Sequence, residues 1–231
     1  MQTNINEAQR IEWVEQQLKK LKPGSMLLDA GAGEQQYRKF CDHLQYVSQD
    51  FAEYKPDEKK DSGLQISGWD YGKLDIVSDI AHIPRSDQSF DAILCTEVFE
   101  HIPEPVAAIK EFYRLLKPGG TLIITAPFCS MTHFAPYHFY TGFSRYFYQH
   151  HLSQNEFEVR EINSNGNYFS YIEQEINRTP FIAQQYTDRK ISWMEMQAIK
   201  VVSKLLNRMK AADNGSDELM CFGLHVVAVK I

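Results

Sequence analysis

The sequence predicts an α/β domain built on a mainly parallel sheet with helices on both faces, and three observations lead there. Short apolar runs alternate with helical stripes from residue 25 to residue 162, as repeated βαβ units require. A glycine-rich turn, "GAGEQQYR", follows the first of those runs directly. Later runs close on acidic residues, Asp50 and Asp79, at the carboxyl ends where open α/β sheets bind ligands.

Taken in order, Ile11, Val14, Leu18 and Leu21 recur at helical spacing, and "KPG" stops that N-terminal helix (1–22) before the strand "MLLDA". A helix is expected over "EQQYRKFCDHL", then a strand over "QYVSQ" and a polar connection through "EYKPDEKKDSG". "KLDIVSD" and "FDAILCTE" read as the third and fourth strands. In "EPVAAIKEFYRLLKPGG", Val106, Ile109, Phe112, Leu115 and Leu116 share one helical stripe that ends in Pro-Gly-Gly before the strand "TLIITAP". "FEVREIN" and the closing "CFGLHVVAVKI" are further strands, the last at 220–231. Between them, residues 164–219 are too long for a hairpin connection and carry Ile191, Met194, Ala198, Val202, Leu205 and Met209 on one stripe. A helical insertion, a lid or an oligomer contact is expected there, so a homodimer is among the assemblies the chain allows. One domain spans residues 1–231, with its core at 25–162.

Composition narrows the function. With 43% hydrophobic and 23% charged residues the chain is an ordinary globular protein, and a formal charge of −6 offers no broad positive field for nucleic acid. No secretory signal, and no stretch of the ~20 apolar residues that span a bilayer, is expected. The four cysteines, Cys41, Cys95, Cys129 and Cys221, form no CxxC pair and read as buried thiols of a cytoplasmic protein.

The glycine turn lacks the third glycine of a dinucleotide site: Gln36 stands in the sixth position, and Glu34 would oppose a pyrophosphate. Asp50, about twenty residues on, can accept hydrogen bonds from ribose hydroxyls. No metal-ligand spacing stands out, although His150 and His151 are adjacent, and no metal is expected.

The ordered segments "LLDAGAGEQQYR", "YVSQD", "SDIAHIPRSDQSFDAILCTEVFEHIPEP" and "EFYRLLKPGGTLIITAPF" resemble a class I S-adenosylmethionine-dependent methyltransferase of the type-11 group, over roughly residues 25–162. The resemblance implies a Rossmann-like seven-stranded sheet with an antiparallel last strand. It also implies that Asp29, Gly31, Ala32 and Gly33 surround the cofactor's methionine part, with Tyr37 reaching over it or packing on a helix face. Asp50 would hold the ribose, with Phe51 beside it among the cofactor contacts, Asp79, Ile80 and Ala81 would meet the adenine, and Cys95 and Thr96 would line the cofactor beneath the methyl group. The product would be S-adenosylhomocysteine. Gln35 departs from the pattern, since many relatives carry a glycine there. The "GAGEQQYR" and "YVSQD" pair resembles methyltransferases of glycan pathways.

Residues 131–151, "MTHFAPYHFYTGFSRYFYQHH", follow the fifth strand and hold eight aromatic residues and four of the chain's eight histidines. In relatives this segment borders the acceptor. His133 and His138, with His101 behind them, are candidate general bases; Phe134, Tyr137 and Tyr140 are candidate acceptor contacts. His101 also reads as a helix-start residue, and Glu97 and Glu100 as site-shaping or helix N-terminal charges. Past Thr141 and Gly142, Phe143, Tyr146 and Phe147 are expected to pack. The expected reaction is methyl transfer to a hydroxyl of a small sugar or glycan-related metabolite. Methylation of nitrogen or carbon in a lipophilic quinone precursor is the alternative, and a non-catalytic sensor or scaffold the third reading.

Overall fold

A computed structural model describes residues 5–55, 64 and 68–231. The chain divides into two compact units, residues 1–163 with 223–231, and residues 164–222. Among the described residues, no helix is long and apolar enough to cross a membrane.

The first unit carries a seven-stranded sheet in the order β3-β2-β1-β4-β5-β7-β6. Its strands are β1 (Met26–Ala30), β2 (Gln45–Asp50), β3 (Ile76–Val77), β4 (Phe90–Thr96), β5 (Leu116–Pro127), β6 (Phe157–Asn165) and β7 (Gly223–Lys230). The β3-β2-β1-β4-β5 pairs are parallel, and β7 runs antiparallel to β5. The strand order reverses between β1 and β4, which places the ligand crevice of such a sheet beyond their carboxyl ends.

Alternation along the buried strands sorts side chains to two helical layers. On one face, Val14 and Leu18 of α1 (Ile5–Lys20) pack with Leu27, Ala92, Leu94 and Ile123, joined by Tyr37 and Cys41. Elsewhere in the core, α2 (Pro105–Leu115) buries Ala108, Ile109, Phe112 and Leu115, and α3 (Arg145–Gln154) buries Tyr148 and Leu152. Phe99 links these two helices, its ring centroid 6.4 Å from both Phe112 and Tyr148.

Three local expectations change. No α-helix follows the glycine turn: residues 32–41 are wound by hydrogen bonds three residues apart, Gln35 to Ala32, Arg38 to Gln35 and Cys41 to Arg38, with a 3₁₀ turn at Arg38–Phe40. Gly33 and Gln35 sit at φ +51° and +56°, which no α-helix accommodates. The third strand shrinks to Ile76–Val77. Tyr146 is 69% exposed rather than packed, because Tyr148 and Leu152 take the inward face of α3 one turn apart.

In the second unit, α4 (Tyr168–Tyr186) and α5 (Trp193–Ala211) pair. Ser203 meets Asn177 and Asn207 meets Glu173, so the two helices run antiparallel. The single stripe predicted here belongs to α5, but Ile191 precedes the helix and Met194 is 74% exposed, while Leu206 is the buried residue.

Candidate functional site

The glycine turn is shaped by contacts that only glycine permits. A Cβ on Gly31 would lie 2.4 Å from a Val98 methyl, and one on Gly33 would lie 2.8 Å from the Trp69 ring. Both glycines have positive φ, +75° and +51°. The turn is tied to the end of β2: the Gly31 and Ala32 amides donate to the Gln49 carbonyl at 2.9 Å, and the Gly33 amide donates to Asp50 Oδ2 at 2.9 Å. Gln35, in place of a glycine, holds its left-handed backbone and donates from Nε2 to the carbonyls of Tyr71 and Lys73. The side chain thereby fastens the turn to the segment before β3.

Two buried acids line this turn. Asp29, 1% exposed, accepts from the Tyr46 hydroxyl at 2.6 Å through Oδ2, while its Oδ1 has no hydrogen-bond partner. Burial pushes its carboxyl up to about 7, against the pull of Tyr46 and with help from Asp50. Asp50, 6% exposed, accepts from the amides of Gly33 and Ala52, and burial raises its carboxyl as well. The Phe51 backbone adds a third hydrogen bond to this carboxylate, against about four acceptor sites on an ionised acid. A ligand bringing positive charge and hydroxyl donors would satisfy both acids.

The remaining predicted cofactor residues stand at neighbouring strand ends. Asp79 is exposed, with Oδ1 accepting from the Ala81 amide, beside buried Ile80. Cys95 is fully buried at the end of β4, and burial drives its thiol well up, out of nucleophilic range. Thr96 is half-buried beside it. Tyr37 is 2% exposed and packs with the α1 core cluster. Phe51 meets Tyr137 edge to face at 5.0 Å, joining the β2 end to the loop after β5.

That loop, residues 128–142, has its ends drawn together. Phe143 N donates to the Pro127 carbonyl at 2.8 Å, and Ser130 N donates to the Thr141 carbonyl at 2.6 Å. Within it Phe134, at φ +52°, packs against Tyr54 (4.4 Å between centroids), Trp69 (4.9 Å) and His101 (5.1 Å). The three candidate histidines converge: His101 to His133 is 4.6 Å, His133 to His138 5.0 Å and His101 to His138 6.0 Å between centroids. Tyr140 lies apart, 38% exposed, its hydroxyl donating to the Pro103 carbonyl and its ring against Phe143.

Tautomers follow from acceptors that can only accept. His101 Nδ1 lies 2.5 Å from the Tyr137 carbonyl and His133 Nδ1 lies 2.8 Å from the Met131 carbonyl, so each neutral ring carries its proton on Nδ1. His138 has no hydrogen-bond partner on either ring nitrogen. Burial holds His101 down to about 3 and lowers His138, with His133 nearby adding to both.

Glu100, under these rings, has no exposed surface, and neither carboxylate oxygen receives a hydrogen bond from another residue. Its Oε1 lies 3.6 Å from His101 Nε2 and 3.9 Å from His133 Nε2. Glu97, by contrast, pairs with Arg10 of α1 at 3.1 Å and accepts from Thr125 Oγ1 at 2.9 Å. Sequence reading took Glu100 only as a site-shaping or helix N-terminal charge and passed over Trp69 and Tyr54. Burial of a carboxylate is invisible without the fold, although Trp69 and Tyr71 stand out as aromatics in a polar connection.

Comparisons with known proteins agree with the sheet and the turn. A family profile described as a methyltransferase domain matches residues 28–124. A probable tRNA methyltransferase 9B of Bos taurus is 32% identical over 114 residues, 48% of this chain and 23% of that protein. A ubiquinone biosynthesis O-methyltransferase of Xanthomonas campestris is 42% identical over 65 residues, 28% of this chain and 25% of that protein. The chain thus spans about a quarter of the length of these curated relatives. Among solved structures, geranyl diphosphate C-methyltransferase from Streptomyces coelicolor shares the fold. Its TM-score is 0.55 at 14% identity, covering 97% of this chain and 79% of that one.

Proposed function

We propose, from the premise that the chain carries a class I S-adenosylmethionine-dependent methyltransferase domain, that it transfers a methyl group to a ring hydroxyl of a small molecule. The observation that carries this reading is the juxtaposition at one sheet edge of a glycine turn flanked by two buried acids and a loop that gathers histidines and aromatic rings. When bound, the cofactor supplies an electrophilic methyl on a sulfonium, so the protein needs no nucleophile of its own. Asp29, with an oxygen that has no donor, would hold the amino-acid tail, and Asp50 the ribose hydroxyls.

On the acceptor side, Phe134 and Trp69, backed by the buried Tyr54, would form an apolar wall beside which a flat or sugar-like ring can lie. His138, whose two nitrogens are uncommitted, is the general base that removes the hydroxyl proton as the oxygen attacks. A sugar hydroxyl is the first acceptor class. The match to a ubiquinone biosynthesis O-methyltransferase supports a hydroxyl acceptor of some kind. A second reading, methylation of nitrogen or carbon in a lipophilic quinone precursor, is favoured by the aromatic wall, which would line an apolar pocket needing no base.

The test is product formation from labelled cofactor over a panel of nucleotide sugars and phenolic quinone precursors. Methyl transfer to oxygen is expected, with His138→Asn lowering kcat roughly 10²- to 10⁴-fold at unchanged cofactor affinity. An N- or C-methylated product, insensitive to His138→Asn, favours the second reading. Absence of methylated product across the panel counts against both and favours a non-catalytic binding role.

A further inference from the structure

We propose that Glu100, His101 and His133 form a binding site for one divalent cation of the zinc class. One donor atom from each residue lies within 4.8 Å of the others. The Nε2 atoms of both rings turn to the same carboxylate oxygen, at 3.6 and 3.9 Å. Those separations exceed the roughly 2.7–3.2 Å of a hydrogen bond, so no proton bridges the groups. They approach instead the spacing of ligands around one cation: zinc bonds of about 2.0–2.2 Å put tetrahedral donors roughly 3.4 Å apart.

The surroundings are those of a ligand set. Each imidazole donates its other nitrogen's proton to a backbone carbonyl, Tyr137 for His101 and Met131 for His133, which fixes the tautomer and aims Nε2 inward. Glu100 is fully buried with neither oxygen hydrogen-bonded to another residue, and a cation supplies the partner that such a carboxylate lacks. Two nitrogens and one carboxylate oxygen suit zinc and its neighbours rather than calcium or magnesium, which take oxygen ligands. The donors come from the segments after β4 and β5, adjacent parallel strands. Three protein ligands leave a coordination position open, and an acceptor hydroxyl entering it would lose its proton more readily. That consequence rests on the methyl-transfer reading; the binding itself does not.

The experiment uses the full chain, stripped with a chelator, without cofactor or acceptor. Zn²⁺ is titrated by calorimetry and Co²⁺ by visible absorption. One equivalent and a cobalt d–d band are expected. Glu100→Gln and His133→Ala should each weaken Zn²⁺ binding at least tenfold and abolish the band, since even outer partners of metal ligands are worth 10- to 100-fold. The adjacent pair His150 and His151, exposed and half-buried on α3, serves as control, and their double alanine variant should bind as the wild type does. No stoichiometric uptake by the wild type overturns the proposal, as does His133→Ala binding with wild-type affinity, or loss of binding in the His150/His151 variant alone. His133 lies on the 128–142 loop, so its variant decides the matter should Glu100→Gln fail to fold. Failure here leaves the product assay unaffected, and the two readings stand or fall separately.

Discussion

At the scale of single residues, Asp50 and Glu100 mark the limits of what a sequence discloses. Asp50's place could be read from chain position, an acid closing the second strand about twenty residues past a glycine turn, and it does end β2. The structure adds that it also pins the turn through Gly33 N at 2.9 Å. Asp50→Ala should therefore weaken S-adenosylmethionine binding by about 2 kcal/mol, roughly 30-fold in Kd, the range for hydrogen bonds to a charged group. Calorimetry checks this, and wild-type affinity would remove the ribose role. Glu100 could be read only as a site-shaping charge alongside Glu97, because what distinguishes the two is burial of Glu100 beneath two histidines, one of them 33 residues further along the chain. Gln35 is intermediate. Its departure from glycine was visible, but not the compensation by which its amide reaches the carbonyls of Tyr71 and Lys73.

At the scale of elements, strands were legible where both sheet faces are covered, since β1, β4 and residues 121–127 of β5 are near-continuous apolar runs, whereas the Lys-Pro-Gly-Gly start of β5 read as a helix stop. The segment after β1 was not, because its pattern of apolar residues suits a helix while two positive-φ residues within three positions wind it otherwise. Helix α4 was overlooked as a separate element for a related reason: Pro180 lies inside it and interrupts the pattern. Helix α5 has a signal that sequence does carry, Ser192 three residues before Glu195. Both halves of the capping box form: Ser192 Oγ accepts from the Glu195 amide at 3.3 Å, and Glu195 Oε2 accepts from the Ser192 amide at 2.7 Å. Ser192→Ala should cost about 1 kcal/mol of helix stability, read as faster amide exchange in the first turn of α5. Unchanged exchange there would show that the cap contributes nothing.

At the scale of the molecule, the first unit closes on itself where α1 meets β7. Trp13 stacks on His225 at 4.7 Å between centroids, and the imidazole is 5% exposed with Nε2 unpartnered. Burial, then the nearby Arg10 charge, lower this histidine to about 4. The unfolded chain, with a pKa near 6.5, binds the proton first, so the stability is fully present above about pH 6.5 and is lost as pH falls toward 4. The loss amounts to about 3 kcal/mol over that window. Urea denaturation at pH 7 and pH 4.5 should show a His225→Phe variant losing less stability on acidification than the wild type; equal losses would place the proton elsewhere. The tied loop after β5 bears on descent as well as on chemistry. Because Pro127 and Phe143 meet at 2.8 Å, residues 128–142 form a cassette whose entry and exit coincide. Loop closure changes only slowly with length, so a duplicated gene could exchange or lengthen this cassette at small thermodynamic cost. The acids of β1 and β2 and the glycines of the turn between them lie on a different stretch of chain and would pass through such exchanges untouched.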